Sequence, residues 1–165
     1  LNEIDSLSMK IDIVNMKPIK VAALEHKGKP ESLGQSVETF RTWRKESGCS
    51  PVASKRSFGV ALSNPEARPI QAFHFVICAE TESDVPENAY GVVNKGIEGG
   101  RYARLRHKGS RATLHESVNA LYRTWLPNSN ESKREAPLFF EYIDIHLDVP
   151  ETEMKTDIYF PLLEV

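Results

Sequence analysis

The chain has 165 residues, a formal net charge of −2, 40% hydrophobic and 27% charged residues. That length supports one domain, or two small fused units, with a real core, and the near-neutral charge gives no electrostatic reason to expect nucleic-acid binding. No apolar run approaches the roughly 20 residues that span a bilayer, and two cysteines, Cys49 and Cys78, make no disulfide framework.

Residues 1–8 are polar, begin without methionine and read as a linker or cloning remnant outside the fold. No signal-peptide pattern is present, and the expected compartment is cytoplasmic, with both thiols reduced. Residues 9–14 alternate as a strand does.

An internal repeat then sets the organisation. At one constant offset, the interval from His26 to His107, eight positions recur. Ala22, Leu24, His26, Lys27, Gly28, Leu33, Ser36 and Val37 return as Ala103, Leu105, His107, Lys108, Gly109, Leu114, Ser117 and Val118. After a one-residue slip, Arg41-Thr42-Trp43 recurs as Arg123-Thr124-Trp125. Two copies make a pseudo-dyad rather than a solenoid.

Each copy reads as a short strand (21–24, 102–105), a Lys-Gly turn, a helix and two further strands. The first helix starts near Ser32 and carries Leu33, Val37, Phe40 and Trp43 at helical spacing. The second starts near Thr113 and carries Leu114, Val118, Leu121 and Trp125, with Glu116 completing a capping box. Gly48 and Pro127 are expected to stop the two helices. The remaining strands are 58–62 and 72–78 in copy one, separated by a loop with Asn64, Pro65 and Pro69, and 139–147 and 156–162 in copy two. Another, near 89–93, leads into a glycine-rich turn. The expected fold class is α+β: duplicated β-α-β-β halves about a pseudo-two-fold, an antiparallel sheet lining a central cleft and helices on the other face. Copy one spans about 9–80 and copy two about 89–165, within a single domain over 9–165.

Glu141 interrupts the apolar run Leu138-Phe139-Phe140-Glu141-Tyr142-Ile143. On a strand, Phe139, Glu141, Ile143 and Ile145 share one face. A carboxylate there is costly without a partner, which a protein donor, water or a cationic ligand could supply. Phe139 is the first aromatic candidate beside it, with Tyr90, Trp125 and Tyr159 behind. Trp125 also lies on a helical apolar stripe, where core packing explains it. His26 and His107, at equivalent strand ends, read as structural residues, since no further ligands stand at metal-binding spacing. Arg101, Arg104, Arg106, Lys108 and Arg111 form a basic run that reads as solvated surface, with a patch for an acidic partner or DNA as the alternative. No phosphate loop, nucleophile elbow or cofactor motif is present.

Three stretches carry a resemblance: Ile97-Glu98-Gly99-Gly100-Arg101-Tyr102-Ala103 followed by His107-Lys108-Gly109, then Phe140-Glu141, then Asp157-Ile158-Tyr159-Phe160-Pro161-Leu162. Together they resemble the GyrI-like small-molecule-binding family, also called the AraC-type effector-binding domain, from about Met9 to the C-terminus. The resemblance implies a sensor half of a transcription regulator, a stand-alone sequestering protein, a modulator of DNA gyrase, or a hydrolase of reactive small molecules. It also implies that Glu141 meets cationic, amphipathic aromatic compounds in the cleft. The family often places a tyrosine two residues on, where this chain has Ile143, with Tyr142 turned to the opposite face.

The leading expectation is a binding module with Glu141, Phe139, Ile143, Tyr90, Trp125 and Tyr159 at its site, with no metal, cofactor or catalytic residue, and without nucleic-acid or membrane binding of its own. The alternatives are a hydrolase using Glu141 and a DNA gyrase inhibitor. Against the hydrolase stands the lack of an obvious second polar group on Glu141's face.

Overall fold

The computed structural model describes residues 10–64, 69 and 72–165. The expected linker 1–8, Met9 of the first expected strand and Pro65 of the copy-one loop lie outside the described residues. Along the chain the strands are β1 (Ile11–Met16), β2 (Ile19–His26), β3 (Ser57–Ala61), β4 (Phe75–Glu80), β5 (Val93–Ile97), β6 (Gly100–Lys108), β7 (Leu138–Tyr142) and β8 (Lys155–Pro161). The principal helices are α1 (Leu33–Ser47) and α2 (Leu114–Ala120). The fold class is α+β, with every strand pairing antiparallel.

The chain divides into two compact units, one formed by Pro18–Glu98 and the other by the chain up to Lys17 together with Gly99–Val165. Strand order in the first is β3-β4-β2-β5, and in the second β7-β8-β6-β1. The fourth strand of each unit therefore comes from the segment that precedes the other repeat. β1 runs directly into β2 in sequence but pairs with β6, and β5 precedes β6 but pairs with β2.

The repeat governs register as well as sequence. Ala23 is flanked by Cys78 and Val93 in one unit. Arg104, its counterpart in the other, is flanked by Tyr159 and Asp12. Tyr159 follows Cys78, and Asp12 precedes Val93, by the same interval that separates His26 from His107. Likewise Val60 faces Val76 where Glu141 faces Asp157.

The one-residue slip at the tryptophans has a structural cause. α2 continues as a π-helical stretch, Leu121–Trp125, before a last turn at Leu126–Asn128. A π turn holds one residue more than an α turn, and α1 has no such stretch, so Trp125 falls one position late. The same stretch corrects the expectation that Pro127 stops the helix, since Pro127 lies inside the last turn, Leu126–Asn128. Proline lacks an N–H and crowds the carbonyl four residues back; the wider turn before it shifts those carbonyls. Gly48, in contrast, does close α1, donating its N–H to the Arg44 carbonyl at 3.2 Å.

In each unit one sheet face carries the helix. Phe40 and Trp43 of α1 pack with Ala22, Ala79, Val85 and Val92. Tyr122 and Trp125 meet Phe160 of β8 edge-on, at 5.0 and 6.5 Å between ring centroids. A fully buried aromatic such as Trp43 or Phe160 contributes about 2–3 kcal/mol through the apolar area it removes from water.

The repeat histidines fasten helix to strand. His26 Nε2 lies 2.8 Å from the Lys29 carbonyl and its Nδ1 2.8 Å from Ser36 Oγ. His107 Nε2 lies 3.1 Å from the Ser110 carbonyl and its Nδ1 2.7 Å from Ser117 Oγ. A carbonyl only accepts, so Nε2 carries a proton toward it in both clasps, and Nδ1 is bonded to the serine hydroxyl. Ser32 and Thr113 are N-caps by position, but neither side chain bonds a helix N–H. Their hydroxyls donate instead to the Lys29 and Ser110 carbonyls at 2.9 and 2.7 Å. The expected capping box at Thr113 is thus corrected: the short 3₁₀ turns Pro30–Ser32 and Arg111–Thr113 precede the helices and hold these hydroxyls against the histidines. Gly28 and Gly109 begin those turns with φ of 130° and 132°, where side chains are strained.

The expected strand 139–147 is also corrected. β7 ends at Tyr142, because the buried Asp144 carboxylate accepts the Lys155 backbone N–H at 2.8 Å and pairs with Lys155 Nζ at 3.1 Å. The chain turns there, with the Leu147 N–H donated to the Asp144 carbonyl at 3.0 Å. Ile143 and Ile145 consequently leave the alternation that put them on Glu141's face. The strand expected near 89–93 lies later, at Val93–Ile97, after a turn at Ala89 and Tyr90.

Candidate functional site

Alternation divides the residues of β6, β7 and β8 between the two faces. Phe160 faces α2, so Tyr102, Arg104 and Arg106 of β6, Phe139 and Glu141 of β7, and Asp157 and Tyr159 of β8 lie on the helix-free face.

Three aromatic rings form its floor. Phe139 and Tyr159 are direct cross-strand partners whose rings stack at 4.5 Å with 6° between planes. Tyr102 meets both edge-on, at 5.3 and 6.1 Å. All three are buried to 2% exposure or less. The Arg134 guanidinium lies 4.9 Å over the Tyr102 ring, so the fold already uses one cation–π contact here.

Glu141 stands at the edge of this floor, partly buried, and accepts a hydrogen bond from the Tyr159 hydroxyl at 3.3 Å. Directly opposite is Asp157. Like charges facing across a strand pair repel, and the structure separates their roles. Arg106 forks onto Asp157, with Nε to Oδ1 at 2.7 Å and the second nitrogen to Oδ2 at 3.0 Å. That hydrogen-bonded carboxylate raises the Arg106 pKa above its ordinary value. Arg104, between Asp12 and Tyr159 in register, bonds Asp12 Oδ2 at 3.2 Å. Burial works against its charge, but the Asp12 carboxylate and Tyr159 oxygen outweigh that and raise its pKa.

Of the residues expected at the site, the structure places Glu141, Phe139 and Tyr159 together. Ile143 is beyond the end of β7, partly buried, its N–H donated to the Lys155 carbonyl at 3.2 Å. Trp125 is on the helix side of the sheet, against Phe160. Tyr90 belongs to the other unit, where its hydroxyl donates to Glu46 and its ring packs on the Phe40–Trp43 core. Tyr142 is indeed turned to the helix side, with the Arg111 guanidinium 5.1 Å over its ring.

Sequence reasoning missed Asp12, Tyr102, Arg104, Arg106 and Asp157 as site residues. Their signal is the period-two pattern Tyr102-Arg104-Arg106 and Asp157-Tyr159, which becomes informative once β6, β7 and β8 are known to be adjacent. The expectation that Glu141's face lacks a second polar group is therefore corrected: a hydroxyl and a carboxylate flank it. The basic run is dispersed among partners, with Arg101 on Glu131, Arg104 on Asp12, Arg106 on Asp157, Lys108 on Glu153 and Arg111 over Tyr142. Among the described residues no three His, Cys, Asp or Glu side chains are grouped to hold a metal ion.

In the other unit the equivalent positions are Phe58, Val60, Val76, Cys78, Val21, Ala23 and Glu25: apolar groups, one cysteine, and one carboxylate, which pairs with His74. Burial pushes the Cys78 thiol up to about 12, so it behaves there as a small apolar group. The positions of Arg104, Glu141, Asp157 and Tyr159 are thus polar in the second repeat's unit and held by Ala23, Val60, Val76 and Cys78 in the first.

Residues 9–163 match the GyrI-like small molecule binding domain. The chain belongs to that family. A protein of Escherichia coli K12 named "Probable transcriptional regulator YgiV" is 41% identical to it over 157 residues, covering 95% of this chain and 98% of the relative. Among solved structures, EcmrR in its DNA complex matches with a TM-score of 0.77 at 16% identity, over 95% of this chain, which spans 58% of the EcmrR chain. SAV2435 bound to tetraphenylphosphonium matches with a TM-score of 0.60 at 11% identity, covering 94% of each chain. At those identities the two structures share the fold. This GyrI-like chain is a small-molecule-binding domain homologous to transcription regulators. Among the described residues, no helix of the GyrI-like domain is long and apolar enough to cross a membrane.

Proposed function

We propose that this GyrI-like domain binds cationic, amphipathic aromatic compounds at the helix-free face of β6, β7 and β8, as the sensor of a transcription regulator or as a sequestering protein. The observation that carries this reading is the partly buried Glu141 carboxylate at the rim of the Phe139–Tyr159 stack. The Phe139, Tyr159 and Tyr102 rings are buried beneath it, an apolar floor that lowers the local dielectric around the carboxylate. A carboxylate at a low-dielectric rim adds charge selection that apolar contact lacks. The fold neighbour SAV2435, bound to tetraphenylphosphonium, supports this ligand class.

Thermal-shift measurements test it. Tetraphenylphosphonium is expected to raise the melting temperature more than triphenylphosphine oxide, a neutral aryl compound, because a ligand selective for the folded form stabilises it. Equal shifts from the two would contradict the proposal.

A second reading is favoured by the Tyr159–Glu141 hydrogen bond, which places a proton donor against a potential general base. On it, Glu141 activates water against a strained electrophile. Turnover of such a compound by the wild type, lost in Glu141→Gln, would establish this reading; binding without turnover would exclude it.

A further inference from the structure

Tyr102 is buried to 1% exposure, and one face of its ring is covered by a cation of its own unit. The partly buried Arg134 guanidinium lies 4.9 Å over that ring. Its Nε donates to the Leu162 carbonyl at 3.0 Å and a terminal nitrogen to the Arg101 carbonyl at 3.3 Å. The backbone that carries it is fastened to the end of β8. The Arg134 N–H is donated to the Pro161 carbonyl at 3.1 Å, the Leu163 N–H to the Ser132 carbonyl at 2.9 Å, and Lys133 bridges to Leu162. Gly100, the first residue of β6, leaves the room that the guanidinium takes. A Cβ there would stand 3.0 Å from its terminal nitrogen and 3.1 Å from its central carbon, and the φ of 125° disfavours any side chain at that position. The chain thus builds a seat for a delocalised cation on an aromatic face, and fills it from within. The other unit has Val21 in the place of Tyr102, with no ring for such a seat.

We propose that Arg134 is a specificity-determining residue of the cation site: its guanidinium occupies the face of Tyr102 as an internal cation, and a ligand gains that ring by taking Arg134's place. The proposal deepens, and rests on, the reading of the helix-free face as a site for cationic aromatic compounds. A neutral aryl compound has no charge with which to replace the contact between guanidinium and ring, so Arg134 stays and Tyr102 remains closed to it. An aryl cation replaces the contact in kind, which offsets the loss of the Arg134 bonds to the Leu162 and Arg101 carbonyls. Discrimination by charge then comes from what must be displaced as well as from what is met.

The test follows the Arg134 Nε–H by nuclear magnetic resonance in the full chain, assigned through its bonded side-chain carbons. In the free protein this proton is expected to be ring-shifted and slow to exchange. Tetraphenylphosphonium at saturation is expected to move it to the position of a solvated arginine, while triphenylphosphine oxide leaves it in place. Calorimetry of Arg134→Ala supplies the second arm. With the seat cleared, both compounds are expected to bind about 3-fold or more tightly than they bind the wild type. A side chain that merely braced the fold would give weaker binding of both instead. Saturation by the phosphonium with the Arg134 signal unmoved overturns the role of Arg134 and leaves the reading of the site standing. So does an Arg134→Ala variant that gains affinity for neither compound, or for the cation alone, since charge relief without access to the ring would explain the latter. If Arg134→Ala does not fold, the wild-type spectra decide. Failure of the phosphonium to bind the wild type removes the reading of the site and this proposal with it.

Discussion

Val60 occupies in one unit the place that Glu141 occupies in the other: each is paired across its strand at equivalent positions of the repeat, to Val76 and Asp157 respectively. A duplicated scaffold has kept its register while one copy pairs two carboxylates across β7 and β8 and the other pairs two valines at the same place. The contrast locates the chemistry, because the scaffold's own requirements are met by valine at the same position.

That equivalence predicts that the fold does not require a charge at Glu141. It faces Asp157 across the strand pair, and like charges so placed repel by about a few tenths of a kcal/mol. Glu141→Gln keeps the shape and removes the repulsion. Its amide oxygen can still accept from the Tyr159 hydroxyl, and its unfolding free energy in urea is expected to lie within about 1 kcal/mol of the wild type.

The histidine clasps make the opposite prediction. His107 is buried and joins strand, turn and helix through both ring nitrogens. His107→Ala leaves the Ser117 hydroxyl without its ring partner and the Ser110 carbonyl with Thr113 as its donor, and is expected to cost about 2–3 kcal/mol with the lost packing. Ser117→Ala, which removes one bond, is expected to cost about 1 kcal/mol. The parallel pair His26→Ala and Ser36→Ala should show the same order in the same denaturation measurement.

Asp144 gives a pH dependence. Burial works to raise its pKa, but the hydrogen bonds from the Lys155 side chain and backbone N–H outweigh it and hold the carboxyl below its ordinary value. A depressed folded pKa stabilises the protein above the unfolded value of about 3.9, and that stability is lost as pH falls through the folded value. The gap in stability between wild type and Asp144→Asn should thus be full at about pH 6 and close as the solution is acidified below the aspartate range. A gap constant with pH would refute this account of the turn after β7.

The strand exchange is checked by hydrogen exchange. Val14→Pro breaks the β1–β6 ladder, since proline has no N–H to donate and its ring disfavours the strand interior. Amides of β6 should then exchange faster, while those of β2, although only a short step further along the chain, keep their protection in β4 and β5 pairing.

Much of this architecture is legible in the sequence, and for local reasons. The repeat, the Lys-Gly turns, α1 and the anomaly of Glu141 all rest on patterns within short windows. Phe139 is likewise readable, being two positions from Glu141 on the same strand. The failures involve partners chosen over long separations. Nothing near β1 says that it passes over β2 to pair with β6, so Asp12 and Arg104 look unrelated. Tyr159 reads as one aromatic among several until β7 and β8 are paired, which is what brings its hydroxyl to Glu141. Trp125 shows the converse difficulty: its aromatic character suits a ligand wall, but the extra residue in the π turn and the packing on Phe160 fix it on the helix side.

The role of Glu141 is tested most directly by calorimetric titration of wild type and Glu141→Gln with tetraphenylphosphonium and triphenylphosphine oxide. The account predicts that the substitution weakens the phosphonium by about 10-fold or more, the scale of one desolvated charge interaction of about 1.4 kcal/mol, and changes the neutral compound by less than about 2-fold. Equal losses for both compounds, or no loss for the cation, would contradict it.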